Sequence, residues 1–247
     1  SAASDVYKRQ NFNTLITADR VVDCGDIFHT NGENNEIFYI KISNIFNSLF
    51  EKGHVPLAIG GDHSITYPIL KSLSNNIPKF NIIHFDAHSD FRDSAIMDTY
   101  LNLNLSILNH ANVMNYCTLL PQVNMIYQIG VREPFITKCS KIQNLSIEDL
   151  RNKNSNWDTL LNTTLPIYVS IDVDFFDPSI VSGTASKLPN GGYFKESVVF
   201  FKEIITSHKI LGIDIVEANN KLDGFGTTSN IVLNLILNLI SHISINK

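Results

Sequence analysis

The chain has 247 residues, 44% of them hydrophobic, and a formal net charge of −5 at pH 7. That is enough to bury the core of one α/β domain, and the absence of any Lys/Arg block argues against nucleic acid or an anionic membrane as partner. Cys24, Cys117 and Cys139 are odd in number and widely spaced, which excludes a disulfide framework or a zinc knuckle and fits reduced thiols in a cytoplasm.

Residues 1–10 resemble translated adapter sequence and are set aside as a non-native leader, leaving 11–247 as a single domain. From there, apolar runs suited to buried parallel strands occur at 55–59, 80–85, 125–131, 167–173 and 210–216. Helix-length segments lie between them at 36–52, 65–74, 101–117, 147–163 in broken form, 194–207 and 227–243. No secretory signal is present. The most apolar stretch, 231–245, is interrupted by Asn234, Asn238, Ser241 and His242 and reads as a buried C-terminal helix, too short to span a bilayer. The rhythm predicts an α/β fold of three layers, with a mainly parallel central sheet covered by helices on both faces. In open sheets of this kind, sites form beyond the carboxyl ends of the strands.

Three strings at such ends carry metal-ligating side chains: Gly60-Gly61-Asp62-His63-Ser64, Asp86-Ala87-His88-Ser89-Asp90, and Asp172-Val173-Asp174 within Ser170-Ile171-Asp172-Val173-Asp174-Phe175-Phe176-Asp177-Pro178. Residues two apart on an extended strand point the same way, so Asp86, His88 and Asp90 are expected to converge, as are Asp172 and Asp174. Taken singly, the first two strings could be ordinary turns, with Asp62 or Ser64, and Ser89 or Asp90, capping the following helix. The third is harder to read that way, because acids inside an apolar strand bury charge without a partner. Carboxylates so crowded cannot all ionise at neutral pH unless a cation sits among them, and three such strings together favour a metal cluster.

In this order the three strings resemble the ureohydrolases, the arginase and agmatinase family. A fourth string, Gly212-Ile213-Asp214-Ile215-Val216-Glu217, is similar to the late strand that ends in the family's substrate-binding glutamate. The similarity runs from about Val22 to the C-terminus, and Ile65-Thr66-Tyr67-Pro68 brings the first motif closer to agmatinases than to arginases. The resemblance implies an arginase-like fold. It also implies a strand and helix ahead of Arg20-Val21-Val22-Asp23-Cys24-Gly25-Asp26, so this chain is expected to lack the N-terminal strand.

As to the site, the resemblance implies that His63 and Asp90 hold one metal, His88 and Asp174 the other, and that Asp86 and Asp172 bridge. So oxygen-rich a set suits Mn2+, two ions per chain. Glu217 is implied as the carboxylate that grips the guanidinium. His110, in Asn109-His110-Ala111-Asn112, occupies the place of a proton-shuttling histidine; the family's following glycine is Ala111 here. Asp62 and Asp177 read as structural, as do His29, His54, His84, His208 and His242 unless solvent-facing.

Hydrolysis of a guanidino group needs a strong nucleophile at neutral pH, which a metal pair provides from water. It also needs a carboxylate to offset the substrate's charge and an acid for the departing amine. Agmatine or another small guanidinoalkyl amine is the favoured substrate, because the segment after Phe91-Arg92-Asp93 lacks the Ser-Gly-Asn pattern with which arginases hold an amino-acid head group. Free or peptide-borne arginine and formiminoglutamate are the alternatives, with Arg92 or Arg132 as holders of a substrate carboxylate. A metal-binding relative without turnover is the reading from another class. Family resemblance implies a homo-oligomer, trimer or hexamer.

Overall fold

The computed structural model describes residues 21–92, 108–134 and 138–245. The leader at 1–10 and the segment after Asp93 that bears on arginine binding lie outside these residues. Six strands, β1 (Leu57–Ile59), β2 (Phe80–Phe85), β3 (Val123–Ile129), β4 (Ile142–Leu145), β5 (Ile167–Asp172) and β6 (Ile210–Val216), form one sheet in the order β1-β6-β5-β2-β3-β4, with every pairing parallel. β2, β5 and β6 are buried along their whole length, as continuous apolar runs in the centre of a parallel sheet must be.

Helices α1 (Asn35–Glu51), α2 (Thr66–Leu73) and α3 (Val113–Thr118) cover one face, where Ile42, Phe46, Ile69, Leu70 and Met114 pack on Ile82, Ile126 and Leu211. Helices α4 (Ile147–Asn152), α5 (Ser155–Leu161), α6 (Phe194–Ser207) and α7 (Thr227–Ile245) cover the other, with Trp157, Phe200, Phe201, Leu235 and Leu239 against Ile83, Phe85, Val169 and Ile213. This is the expected three-layer α/β/α arrangement. No helix among the described residues is long and apolar enough to cross a membrane.

One expectation is corrected and one strand is added. The helix at 101–117 is, in its described part, a 3-10 turn over His110–Asn112 followed by the short α3; the side chain of Asn109 accepts from Ala111 N and restarts the chain there. Strand β4 was not anticipated, because Ile142-Gln143-Asn144-Leu145 offers only two apolar positions on a half-exposed edge. The break foreseen within 147–163 has a clear cause: Lys153 takes a left-handed conformation (φ 46°) that stops α4, and Asn154 then caps α5.

The strand ends are locked to one another just before the functional loops. Asp86 N donates to Ile129 O, Gly130 N to Leu145 O, Gly60 N to Ile215 O and Glu217 N to Gly61 O, at 2.9–3.1 Å. Gly130 turns the chain away with φ 93°, and a Cβ there would stand 2.7 Å from the Phe175 ring and 3.2 Å from Asp86 O. Gly130→Ala is therefore expected to lower stability by about 2–4 kcal/mol, from left-handed strain plus overpacking of Phe175, read as a fall in the urea midpoint at unchanged m.

Candidate metal centre

β6, β5 and β2 are consecutive neighbours, and β1 flanks β6, so the loops that follow them open on one patch. After β1, Asp62 caps a 3-10 turn over His63–Ile65 by accepting from Ser64 N. This seats His63 fully buried at the centre of the patch. The convergence of the other strings does not come from strand alternation, as the sequence had suggested. β2 ends at Phe85 and β5 at Asp172. Asp86 Oδ1 accepts from His88 N at 2.6 Å and Asp172 Oδ1 from Asp174 N at 2.8 Å, side-chain turns of the kind aspartate favours. Asp90 lies at φ 48°, and Asp174 sits in a 3-10 turn over Val173–Phe175. Tight turns, not an extended strand, gather the ligand-capable atoms.

His63 Nδ1 lies 2.9 Å from Asp90 Oδ2, 3.3 Å from Asp86 Oδ2 and 3.4 Å from Asp172 Oδ2. His88 Nδ1 lies 2.9 Å from Asp174 Oδ2 and 3.5 Å from Asp86 Oδ1. Asp86 thus turns one oxygen toward each imidazole. Two overlapping groups of potential ligands result, His63 with His84, Asp86 and Asp90, and Asp86 with His88 and Asp174, the atoms of each within 4.8 Å of one another.

The donor set fits a cation. His63 Nε2 is 2.9 Å from Ser170 Oγ, whose own proton goes to Asp214 Oδ1 at 2.7 Å. Ser170 must then accept from His63, so in the neutral ring Nε2 carries the hydrogen and the lone pair is on Nδ1. That buried Nδ1 has no hydrogen bond and faces three carboxylate oxygens, an arrangement that positive charge between them stabilises. Asp214 is held in turn by Thr66 Oγ1 and Tyr168 OH, at 2.9 and 2.8 Å to Oδ2.

The titration behaviour says the same. Burial, and then the charge of Asp86, raise Asp90 and push Asp174 up to about 7; burial, Asp86 and Asp174 raise Asp172 far more. Hydrogen bonding to Asp174 and Asp86 pushes His88 up to about 11. Burial disfavours a charged His63, yet Asp172, Asp86 and Asp90 together lift it well above its ordinary value. Burial would raise Asp86 too, but the imidazoles around it, His84 foremost, hold it well below the usual range. Protons are thus held by His63, His88 and the carboxyls of Asp90, Asp172 and Asp174, while Asp86 stays ionised among the imidazoles.

Glu217, directly after β6, has φ 64°, a strained value for a non-glycine residue. Its Oε1 accepts from His63 N at 2.8 Å, and burial raises its pKa. His110 stands apart at the rim, 61% exposed, its Nδ1 4.0 Å from Asp62 Oδ2. Asp177 closes its own loop by accepting from Ser179 N and Gly191 N.

Sequence reasoning missed the supporting polar groups Thr66, Tyr168, Ser170, Gln128 and Asp214, although Ser170 and Asp214 stand out as polar residues inside apolar strands. His84, read from the sequence as structural or solvent-facing, is buried, with Nε2 2.8 Å from Asp86 Oδ2. Arg132 is not available to hold a substrate carboxylate. Its guanidinium donates to the main-chain oxygens of Gly130, Asp174, Phe175, Leu188 and Pro189, and its own N–H goes to Ala87 O.

Comparison with known proteins places the chain in a family. The family model described as the Arginase family matches residues 2–241. An agmatinase from Blochmanniella floridana is 30% identical over 207 residues, which make up 80% of this chain and 63% of that protein. The chain thus spans less than two thirds of that relative's length. Among solved structures, proclavaminate amidino hydrolase from Streptomyces clavuligerus superposes with a TM-score of 0.78 at 22% identity, covering 92% of this chain and 76% of the other. The agmatine ureohydrolase of Thermoplasma volcanium superposes with a TM-score of 0.70 at 24% identity, covering 86% and 70%. At those identities the two structures speak for the fold, and the family match over nearly the whole sequence decides the rest: the chain belongs to the arginase family.

Proposed function

We propose that this chain hydrolyses the guanidino group of a small guanidinoalkyl amine such as agmatine, giving an amine and urea, with two Mn2+ held by His63, Asp86, His88, Asp90, Asp172 and Asp174. The observation that carries this reading is Asp86, whose two oxygens face two different imidazoles, each backed by further carboxylates. Divalent cations held by these residues would lower the pKa of water and so supply a nucleophile near neutrality. The remaining work falls to the protein's own groups. Glu217, anchored through Oε1 on His63 N, offers its other oxygen to the guanidinium, so the substrate's charge meets an anion beside the cations. His110, on the rim, donates a proton to the departing amine nitrogen.

Support for an amine substrate comes from the relatives named agmatinases and from Arg132, which is engaged by main-chain oxygens and leaves no cation free at that position for a substrate carboxylate. A cytoplasmic homo-oligomer is part of the same proposal. The exposure of His110 and the presence of Ala111 after it favour one competing reading, a metal-binding relative without turnover.

The Mn2+-loaded chain is expected to release urea from agmatine faster than from arginine or guanidinobutyrate; release from none of the three would favour the competing reading. His110→Ala is expected to lower kcat by about 10²–10⁴-fold, the usual contribution of a general acid, with two Mn2+ still bound by elemental analysis. Equal loss of metal and turnover would refute its role. A third expectation concerns pH. Without metal, Asp174 keeps a proton up to about 7 that the unfolded chain releases near 3.8, and His88 keeps one up to about 11 that the unfolded chain releases near 6.5. The native state binds more protons between those values, so its stability falls as pH rises. Manganese requires both groups proton-free, so its stabilising effect grows over the same range. The melting temperature in EDTA is expected to fall from about pH 6 to about pH 9, while the increment produced by Mn2+ increases.

A further inference from the structure

We infer that His84, locked by Gln128, is a hydrogen-bond donor that positions the shared carboxylate Asp86 and is not itself a metal ligand; the inference rests on the binuclear reading above. By distance alone His84 belongs to the group formed with His63, Asp86 and Asp90. Which role it takes depends on which ring nitrogen carries the hydrogen, and its neighbours decide that.

His84 is fully buried on β2, two residues before Asp86. Its Nε2 is 2.8 Å from Asp86 Oδ2 and its Nδ1 is 3.2 Å from Gln128 Nε2 on β3, the register partner of His84. The same Gln128 Nε2 lies 2.5 Å from Ser89 O. Turning the amide over would set its oxygen against the Ser89 carbonyl oxygen, two acceptors with no hydrogen between them, so the nitrogen must face both partners. An amide nitrogen has two hydrogens. One goes to Ser89 O and the other to His84 Nδ1, which is therefore an acceptor. The ring hydrogen is left on Nε2 and points at Asp86 Oδ2. Gln128 Oε1 is buried without a partner, so the amide is oriented by what its nitrogen grips.

One residue of β3 thus fixes two things at once. It holds the carbonyl of Ser89, in the middle of the Asp86–Asp90 turn, and it sets the tautomer of the imidazole behind Asp86. With one lone pair of Oδ2 filled by the His84 N–H, Asp86 keeps Oδ2 toward His63 and Oδ1 toward His88. Such outer partners typically change metal affinity by 10- to 100-fold.

The wild-type protein tests this directly. In 15N-histidine-labelled protein, long-range 1H–15N correlation spectra are expected to show His84 protonated on Nε2, both metal-free and after saturation with Zn2+ as a diamagnetic probe. Loss of that hydrogen on loading, or its absence in the metal-free protein, would overturn the inference. Failure of the metal reading would show separately, as His63 and His88 Nδ1 signals that do not move with Zn2+. Gln128→Met, which removes both donors at similar volume and serves to assign the His84 signals, is expected to weaken Mn2+ binding about tenfold by electron paramagnetic resonance titration at a temperature where the variant is folded, and to lower the melting temperature in EDTA by several degrees because Ser89 O and His84 Nδ1 lose their donor. Unchanged Mn2+ affinity in that variant would count against the positioning role.

Discussion

Everything at the carboxyl edge of this sheet answers to one electrostatic constraint: Asp86, Asp90, Asp172 and Asp174 are nearly or fully buried around His63 and His88, at 2.9–3.5 Å from an imidazole nitrogen. Carboxylates in such a place are stable only where positive charge is brought to them, since the penalty for burying unpaired charge exceeds what packing returns. The protein meets that demand with imidazoles. His63 and His88 each face a carboxylate oxygen at 2.9 Å, and both are driven toward the protonated form. Bound cations would satisfy the same demand with metal in place of protons, so the geometry of the cluster and its protonation follow from one arrangement.

The rest of the architecture keeps those charges from moving apart. Ser170 and Asp214, on adjacent strands, transmit the hydroxyls of Thr66 and Tyr168 to the far side of His63. Glu133 grips the middle of the Asp86–Asp90 turn by accepting from Ser89 N at 2.7 Å. Ala87 N donates to Asp174 Oδ1 at 3.0 Å, joining the β2 and β5 loops directly. Left-handed φ values at Asp90 and Glu217 show where backbone strain is tolerated for the sake of side-chain direction.

How far the sequence could be read depended on how much of each signal is local. Phe80–Phe85, Phe194–Ser207 and Ile210–Val216 declare themselves through period and apolar content, and their bounds agree with the fold. The ligand-capable strings were visible because Asp-x-His-x-Asp and Asp-x-Asp are dense in chemistry. Their means of convergence was not, since the choice between an extended strand and a side-chain turn at Asp86 and Asp172 depends on where pairing with β3 and β6 stops. Gln128, His84 and Asp214 escaped for a related reason: a buried polar residue acquires meaning only from its partner on the neighbouring strand. Arg132 was misjudged because an isolated arginine in sequence gives no hint that main-chain oxygens surround it.

That last residue has a consequence for how the protein can diversify. Arg132 fastens the segment at Leu188 and Pro189 to the turn carrying Asp174 entirely through peptide carbonyls. A clasp of this kind is blind to the side chains it holds, so positions 188 and 189 are free to drift while the clasp stays shut. Loop sequence and ligand placement become separate inheritances, and one can be rewritten without disturbing the other.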